Sequence, residues 1–126
     1  MTSIKYGVQL ILMCFFCVGF AQKTAVYSSE AVNFQSAITL YNAQQYQSAQ
    51  LLFKSVEATA NDAFLKSNAA YFTANCAVRL NQSNAELLVE SFVKNHPYST
   101  KRNSAYFEVA NYYFENAKYA YARKWY

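Results

Sequence analysis

Three alanines, Ala49, Ala85 and Ala122, recur 36 and 37 residues apart, each in a helical stretch that follows a short polar turn. Three residues before them stand Tyr46, Gln82 and Tyr119, and four residues after them Phe53, Val89 and Tyr126. Twelve residues before them stand Ala37, Thr73 and Ala110. Side chains three and four apart share one face of a helix, so each alanine lies between two larger groups on that face. A small residue there lets a partner helix come close. A period of this size marks units that bury their apolar faces only by packing on the next unit.

The rest of the chain favours helix. Apart from Gly7 and Gly19 it has no glycine, and Pro97 is its only proline, while 54% of its residues are hydrophobic. The periodicity predicts helices over 28–43, 46–60, 63–80, 84–95, 102–116 and 119–126. The turns fall at AQQ, TAND, LNQSN, NHPYST and ENAK. Asp62 and Ser83 are expected N-caps, and Pro97 ends the fourth helix by biasing His96 away from helix. In the last helix the expected buried face is Tyr119, Ala122 and Tyr126, packed on 102–116, with Tyr121 and Trp125 on other faces. The tyrosines, 12 in all, suit half-buried positions between helices.

This pattern resembles the tetratricopeptide repeat (TPR). Tyr46, Ala49 and Phe53, with Ala37 before them, match in the first copy. Ala85, Phe92 and Pro97 match in the second, which departs at Thr73, Gln82 and Val89. Tyr106, Ala110, Tyr113, Tyr119 and Ala122 match in the third. The resemblance covers about residues 30–126. It implies an all-α fold of antiparallel helix hairpins stacked as a right-handed solenoid. The repeats are expected over 30–62, 63–98 and 99–126, the third truncated in its second helix, as in a fragment of a longer array. It also implies a peptide-binding groove along the first helices of the pairs, with Phe34, Tyr41, Asn42, Tyr71, Phe107, Asn111 and Glu115 facing it. One subclass grips a peptide's terminal carboxylate with Lys, Arg and Asn. Its places are held here by Phe34, Ile38, Tyr71, Ser104 and Glu108, so the resemblance implies no such clamp.

The first 22 residues, MTSIKYGVQLILMCFFCVGFAQ, have a cation at Lys5, an apolar run over Val8–Phe20, and small Gly19 and Ala21 before Gln22. That is the pattern of a secretory signal peptide over 1–21, followed by a short linker over 22–29. The apolar run is too short for a spanning helix. Cleavage removes Cys14 and Cys17 and leaves Cys76, which cannot form an internal disulfide and reads as a small buried hydrophobe. The mature chain carries ten Lys and Arg against seven Asp and Glu. The excess collects after Val93, but it is too mild and too scattered for a nucleic-acid partner.

No constellation carries chemistry. His96, the single histidine, sits in a turn. No His, Cys and carboxylate cluster has metal spacing, and no glycine-rich loop could cradle a phosphate. No cofactor, metal or catalytic residue is expected, and the chain is read as no enzyme. The segments GFAQ, YFTANCAVRLNQSNAELLVESFVKNHP and AYFEVANYYFENAKYAYARKWY are similar to the start of exported envelope TPR proteins of Bacteroidetes-type bacteria. That likeness implies a periplasmic or outer-membrane-associated scaffold with a protein or peptide partner, in association with an outer-membrane or envelope complex. Two other classes stay open: the non-catalytic N-terminal region of a larger envelope enzyme, and a cell-wall or membrane-surface binder using the basic end.

Overall fold

The structure, a computed structural model, describes residues 29–126. The export segment expected over 1–21 and nearly all of the linker lie outside the described residues. The chain divides into two compact units, Met1–Val32 and Asn33–Tyr126, and the second holds both core clusters and the candidate binding face.

The described residues are all-helical, with six helices and no strand. These are α1 over 29–42, α2 at Tyr46–Thr59, α3 at Ala63–Arg79, α4 at Ala85–Asn95, α5 at Arg102–Glu115 and α6 at Tyr119–Trp125. From the end of α1 onward, every boundary lies within a residue of the expected one; the expected start of the first helix, at 28, lies outside the described residues. Asp62 caps α3 as expected, its carboxylate accepting from the Leu65 N–H at 3.0 Å. Ser83 does not cap α4: the N-cap is Asn84, with no side-chain cap bond.

The helices pair through three turns of one geometry. Gln44, Asn81 and Ala117 each adopt a left-handed conformation, with φ of 61°, 53° and 57°. Around each, the same two backbone bonds close a Schellman motif. Gln45 N–H donates to Leu40 O at 2.9 Å, Gln82 N–H to Ala77 O at 3.0 Å and Lys118 N–H to Tyr113 O at 2.8 Å. The inner bonds, to Tyr41, Val78 and Phe114, are each 3.0 Å. None of the three left-handed residues is glycine, so each turn carries a steric cost of roughly 1–2 kcal/mol. Packing of the paired helices has to offset it.

These turns correct the register expected for the second copy. Counting back seven residues from each left-handed residue gives Ala37, Ala74 and Ala110, which are 0%, 3% and 0% exposed. The small residue of α3 is therefore Ala74 and not Thr73. The slip is taken up at the start of α4. Ala49 and Ala122 donate to carbonyls four residues back, Gln45 and Lys118, whereas Ala85 donates to Gln82, only three back. One residue is missing there, and a tighter first turn absorbs it. Gln82 lies in the turn, as LNQSN predicts, and not at a first helical position like that of Tyr46 or Tyr119. Its amide exchanges a reciprocal pair of bonds, 3.0 and 2.9 Å, with buried Gln50 of α2.

Two clusters form the core, with α3 between them. Ala37, Ala49, Phe53, Val56, Ala60, Ala69 and Cys76 make the first. The second joins α3, α4, α5 and α6 through Ala74, Val78, Val89, Phe92, Val109, Ala110, Ala122 and Trp125. Phe72 packs on both. Helix α3 packs on α2, α4 and α5, which is why eleven of its seventeen residues are buried. Ala49 is fully buried at the α1–α2 crossing. Ala49→Leu is expected to overpack it and cost about 1–3 kcal/mol; urea denaturation of the full chain measures the loss, and an unchanged midpoint would refute this packing.

The last helix corrects a second expectation. Its buried residues are Ala122 and Trp125, while Tyr119 and Tyr126 are 60% and 66% exposed. Trp125 packs against Tyr106 of α5 with ring centroids 5.6 Å apart. The indole buries more apolar area than a phenol whose hydroxyl prefers water, so Trp125 takes the inner position. Tyr126 still reaches α5: its ring makes a T-shaped contact with Phe107, and its hydroxyl donates to Asn111 Oδ1 at 2.7 Å. Tyr121 is exposed and leans on Tyr113.

Candidate binding face

The expected groove residues fall into two kinds. Phe34, Tyr41 and Tyr71 are packed. Phe34 forms T-shaped contacts with Phe53 and Phe72, ring centroids 5.5 and 6.1 Å apart. Tyr71 is 2% exposed, wedged against Phe72 and Phe92, and its ring belongs to the core. Asn42, Phe107 and Glu115 are exposed, and Asn111 is half-buried under the Tyr126 hydroxyl. Two residues before the left-handed residue, the three turns place Asn42, Arg79 and Glu115 at equivalent positions. Arg79 is thus the member of this set that the one-residue slip concealed.

Arg79 is the centre of the most organised polar group on α1, α3 and α5. It lies in the last turn of α3, where a cation is favoured by the helix dipole. Its Nε–H donates to the Tyr41 hydroxyl at 2.9 Å. The guanidinium carbon lies 5.6, 5.5 and 5.5 Å from the ring centroids of Tyr41, Tyr46 and Tyr112. Cation–π attraction to each ring is worth about 0.5–2 kcal/mol. The Tyr112 hydroxyl donates to the Arg79 carbonyl at 3.2 Å, tying α5 to the end of α3. Burial alone would lower the Arg79 pKa, but the Tyr41 and Tyr46 hydroxyls outweigh it and the net shift is upward. Burial raises the Tyr41 phenol, and Arg79 offsets part of that rise.

Further along α3, burial pushes the Tyr71 phenol well above its usual range, and nearby Glu108 pushes it further. Its hydroxyl has no hydrogen-bond partner among the described residues. Lys101 Nζ lies 5.4 Å from the Tyr71 ring centroid and 5.9 Å from that of Phe72. On this face aromatic rings alternate with Lys101, Glu108 and Arg79. Among the described residues the one ion pair lies elsewhere, between Lys124 of α6 and Glu86 of α4.

His96 stacks on Phe92 at 5.5 Å and borders an open cleft lined also by Phe64, Pro97 and Tyr98. Cys76 is fully buried, and burial pushes its thiol up to about 12. Among the described residues no three His, Cys, Asp or Glu side chains gather as a metal site, and no helix is long and apolar enough to cross a membrane. No family model, curated protein or solved structure matches the chain.

Proposed function

We propose that the chain is an exported TPR-like scaffold that binds a protein segment along the face formed by α1, α3 and α5. The observation that supports this reading best is the threefold return of one Schellman turn without glycine, with Ala37, Ala74 and Ala110 in register before it. A unit that repeats its backbone and its close-packing residue is built to stack, and stacking in one sense gives a right-handed solenoid whose first helices line one side. That side carries the exposed Asn42, Phe107 and Glu115 and the tyrosine-framed Arg79. No catalytic step, cofactor or nucleic-acid partner belongs to this role, which is exercised in the periplasm or at the outer membrane, within an envelope complex.

Selection of a displayed peptide library on the full chain, followed by amide chemical-shift mapping, tests the binding role. Selected peptides are expected to perturb Asn42, Phe107, Asn111 and Glu115 and to leave the outer residues of α2 and α4 unmoved. Perturbation confined to α2 and α4, or no enriched peptide, would defeat the reading. Export has its own measurement: the protein recovered from an exporting cell should begin at Gln22, and one that keeps Met1 or Thr2 would refute it.

A further inference from the structure

The sequence pattern assigns Arg79 no role, yet its surroundings are those of a receptor for an anion. The side chain is partly exposed, and among the described residues no carboxylate pairs with it. Tyr41 accepts from Nε, and the Tyr46 hydroxyl is the other neutral oxygen that acts on the guanidinium. Three tyrosine rings hold the guanidinium, so little side-chain freedom remains to be lost when a ligand arrives. A guanidinium fixed by aromatic rings and not paired with a carboxylate matches the two oxygens of one.

We propose that Arg79 receives the side-chain carboxylate of an Asp or Glu in an extended partner segment lying along α1, α3 and α5. This rests on the binding role proposed above and names the chemistry of the partner. A side-chain carboxylate fits better than a chain terminus. A terminus needs several donors converging on one point, and no second cation is seen beside the Arg79 guanidinium among the described residues: Lys101 sits over Tyr71 and Phe72 nearer the start of α3. Asn42 and Glu115, the turn-equivalents of Arg79, offer a neutral amide and a like-charged repellent, so the copies differ in what they accept. An acidic residue is admitted beside the second copy and disfavoured beside the third.

Fluorescence anisotropy on the full chain tests this with labelled hexaglutamate amide, hexalysine amide, hexaserine amide and hexaserine free acid. Hexaglutamate amide is expected to bind most tightly. Arg79→Gln should weaken it at least about 10-fold, since a charge-assisted hydrogen bond to the carboxylate is lost. Arg79→Lys, which keeps the charge and loses the fork, should weaken it several-fold. Arg123→Gln, the removal of an exposed cation, should change it less than about twofold. Should Arg79→Gln perturb folding, the wild-type chain labelled with 15N-arginine gives a second readout: hexaglutamate amide should shift the Arg79 side-chain signals.

Equal binding by wild type and Arg79→Gln, with unshifted Arg79 signals, would overturn the proposal and assign the attraction to scattered surface cations. Preference for hexaserine free acid would overturn it in favour of a chain terminus. If library-selected peptides map to α1, α3 and α5 but ignore Arg79→Gln, this inference fails and the scaffold reading stands. If no peptide of any charge maps to that face, both fail.

Discussion

Phe53→Ala is expected to remove about 3–5 kcal/mol of stability, and Phe107→Ala less than about 1 kcal/mol. The two residues are the same amino acid in opposite surroundings. Phe53 is 0% exposed and Phe107 is 56% exposed. The Phe53 ring stacks on Phe72 at 5.0 Å and makes T-shaped contacts with Phe34 and Tyr41 at 5.5 and 6.5 Å. Truncation there leaves a cavity walled by three rings from two other helices, which cannot collapse into it without breaking their own contacts. A small domain holds about 5–15 kcal/mol in all, so this single change takes a large share of its margin. Urea denaturation of the full chain at neutral pH reads both losses. Comparable losses for the two variants would mean that the ring cluster does not hold α1, α2 and α3 together.

Much of this architecture is legible in the sequence because the chain has so few breakers. Where AQQ, LNQSN and ENAK interrupt the apolar periodicity, the helices do stop. The left-handed residues inside those turns are not legible. Asparagine at 81 gives a weak local signal, but Gln44 and Ala117 give none, since neither prefers positive φ. Their conformation is set by the hairpins they close, which is a tertiary effect. The misplaced register of the second copy leaves visible traces in its departures at Thr73 and Gln82. A glutamine where two other copies have tyrosine signals that the position has left the helix face. Following that trace by one residue moves the small position from Thr73 to Ala74 and brings Arg79 level with Asn42 and Glu115.

The candidate face is legible in part. Asn42, Phe107 and Glu115 follow from the resemblance, and they are exposed. Tyr71 follows on the same grounds, yet the structure gives its ring to the core beside Phe92. A tyrosine gives no sequence cue for which of these two ends it will serve, because its ring and its hydroxyl favour opposite environments. The neighbouring helices make the choice at Tyr71. The same holds for α6, where Tyr119, Trp125 and Tyr126 all stand three or four residues from Ala122 and only packing on Tyr106 selects the indole.

Alkaline solution is expected to unfold the protein well before it affects backbone chemistry. Cys76 is 0% exposed, and burial raises its thiol from 9.0 to about 12. Burial also raises the phenols of Tyr41, Tyr71 and Tyr113 above their usual values. All four groups are neutral when protonated, and the folded chain holds those protons more tightly than the unfolded chain does. Below about pH 8 both states are protonated and the stability from these sites is fully present. Above it the unfolded chain releases protons first, so stability falls as pH rises. At about 1.4 kcal/mol per pH unit, Cys76 alone withdraws about 2 kcal/mol between pH 9 and 10.5 and about 4 kcal/mol by pH 12. The tyrosines add to the loss from about pH 10 upward. Urea denaturation at pH 8 and pH 10.5 should show the drop, and Cys76→Ala, which removes the titrating thiol, should recover about 2 kcal/mol of it. The same burial should keep Cys76 inert to a thiol reagent at pH 8 until urea unfolds the chain. Rapid labelling of the native protein, or an identical drop in Cys76→Ala, would show that the thiol is not held inside the first core cluster.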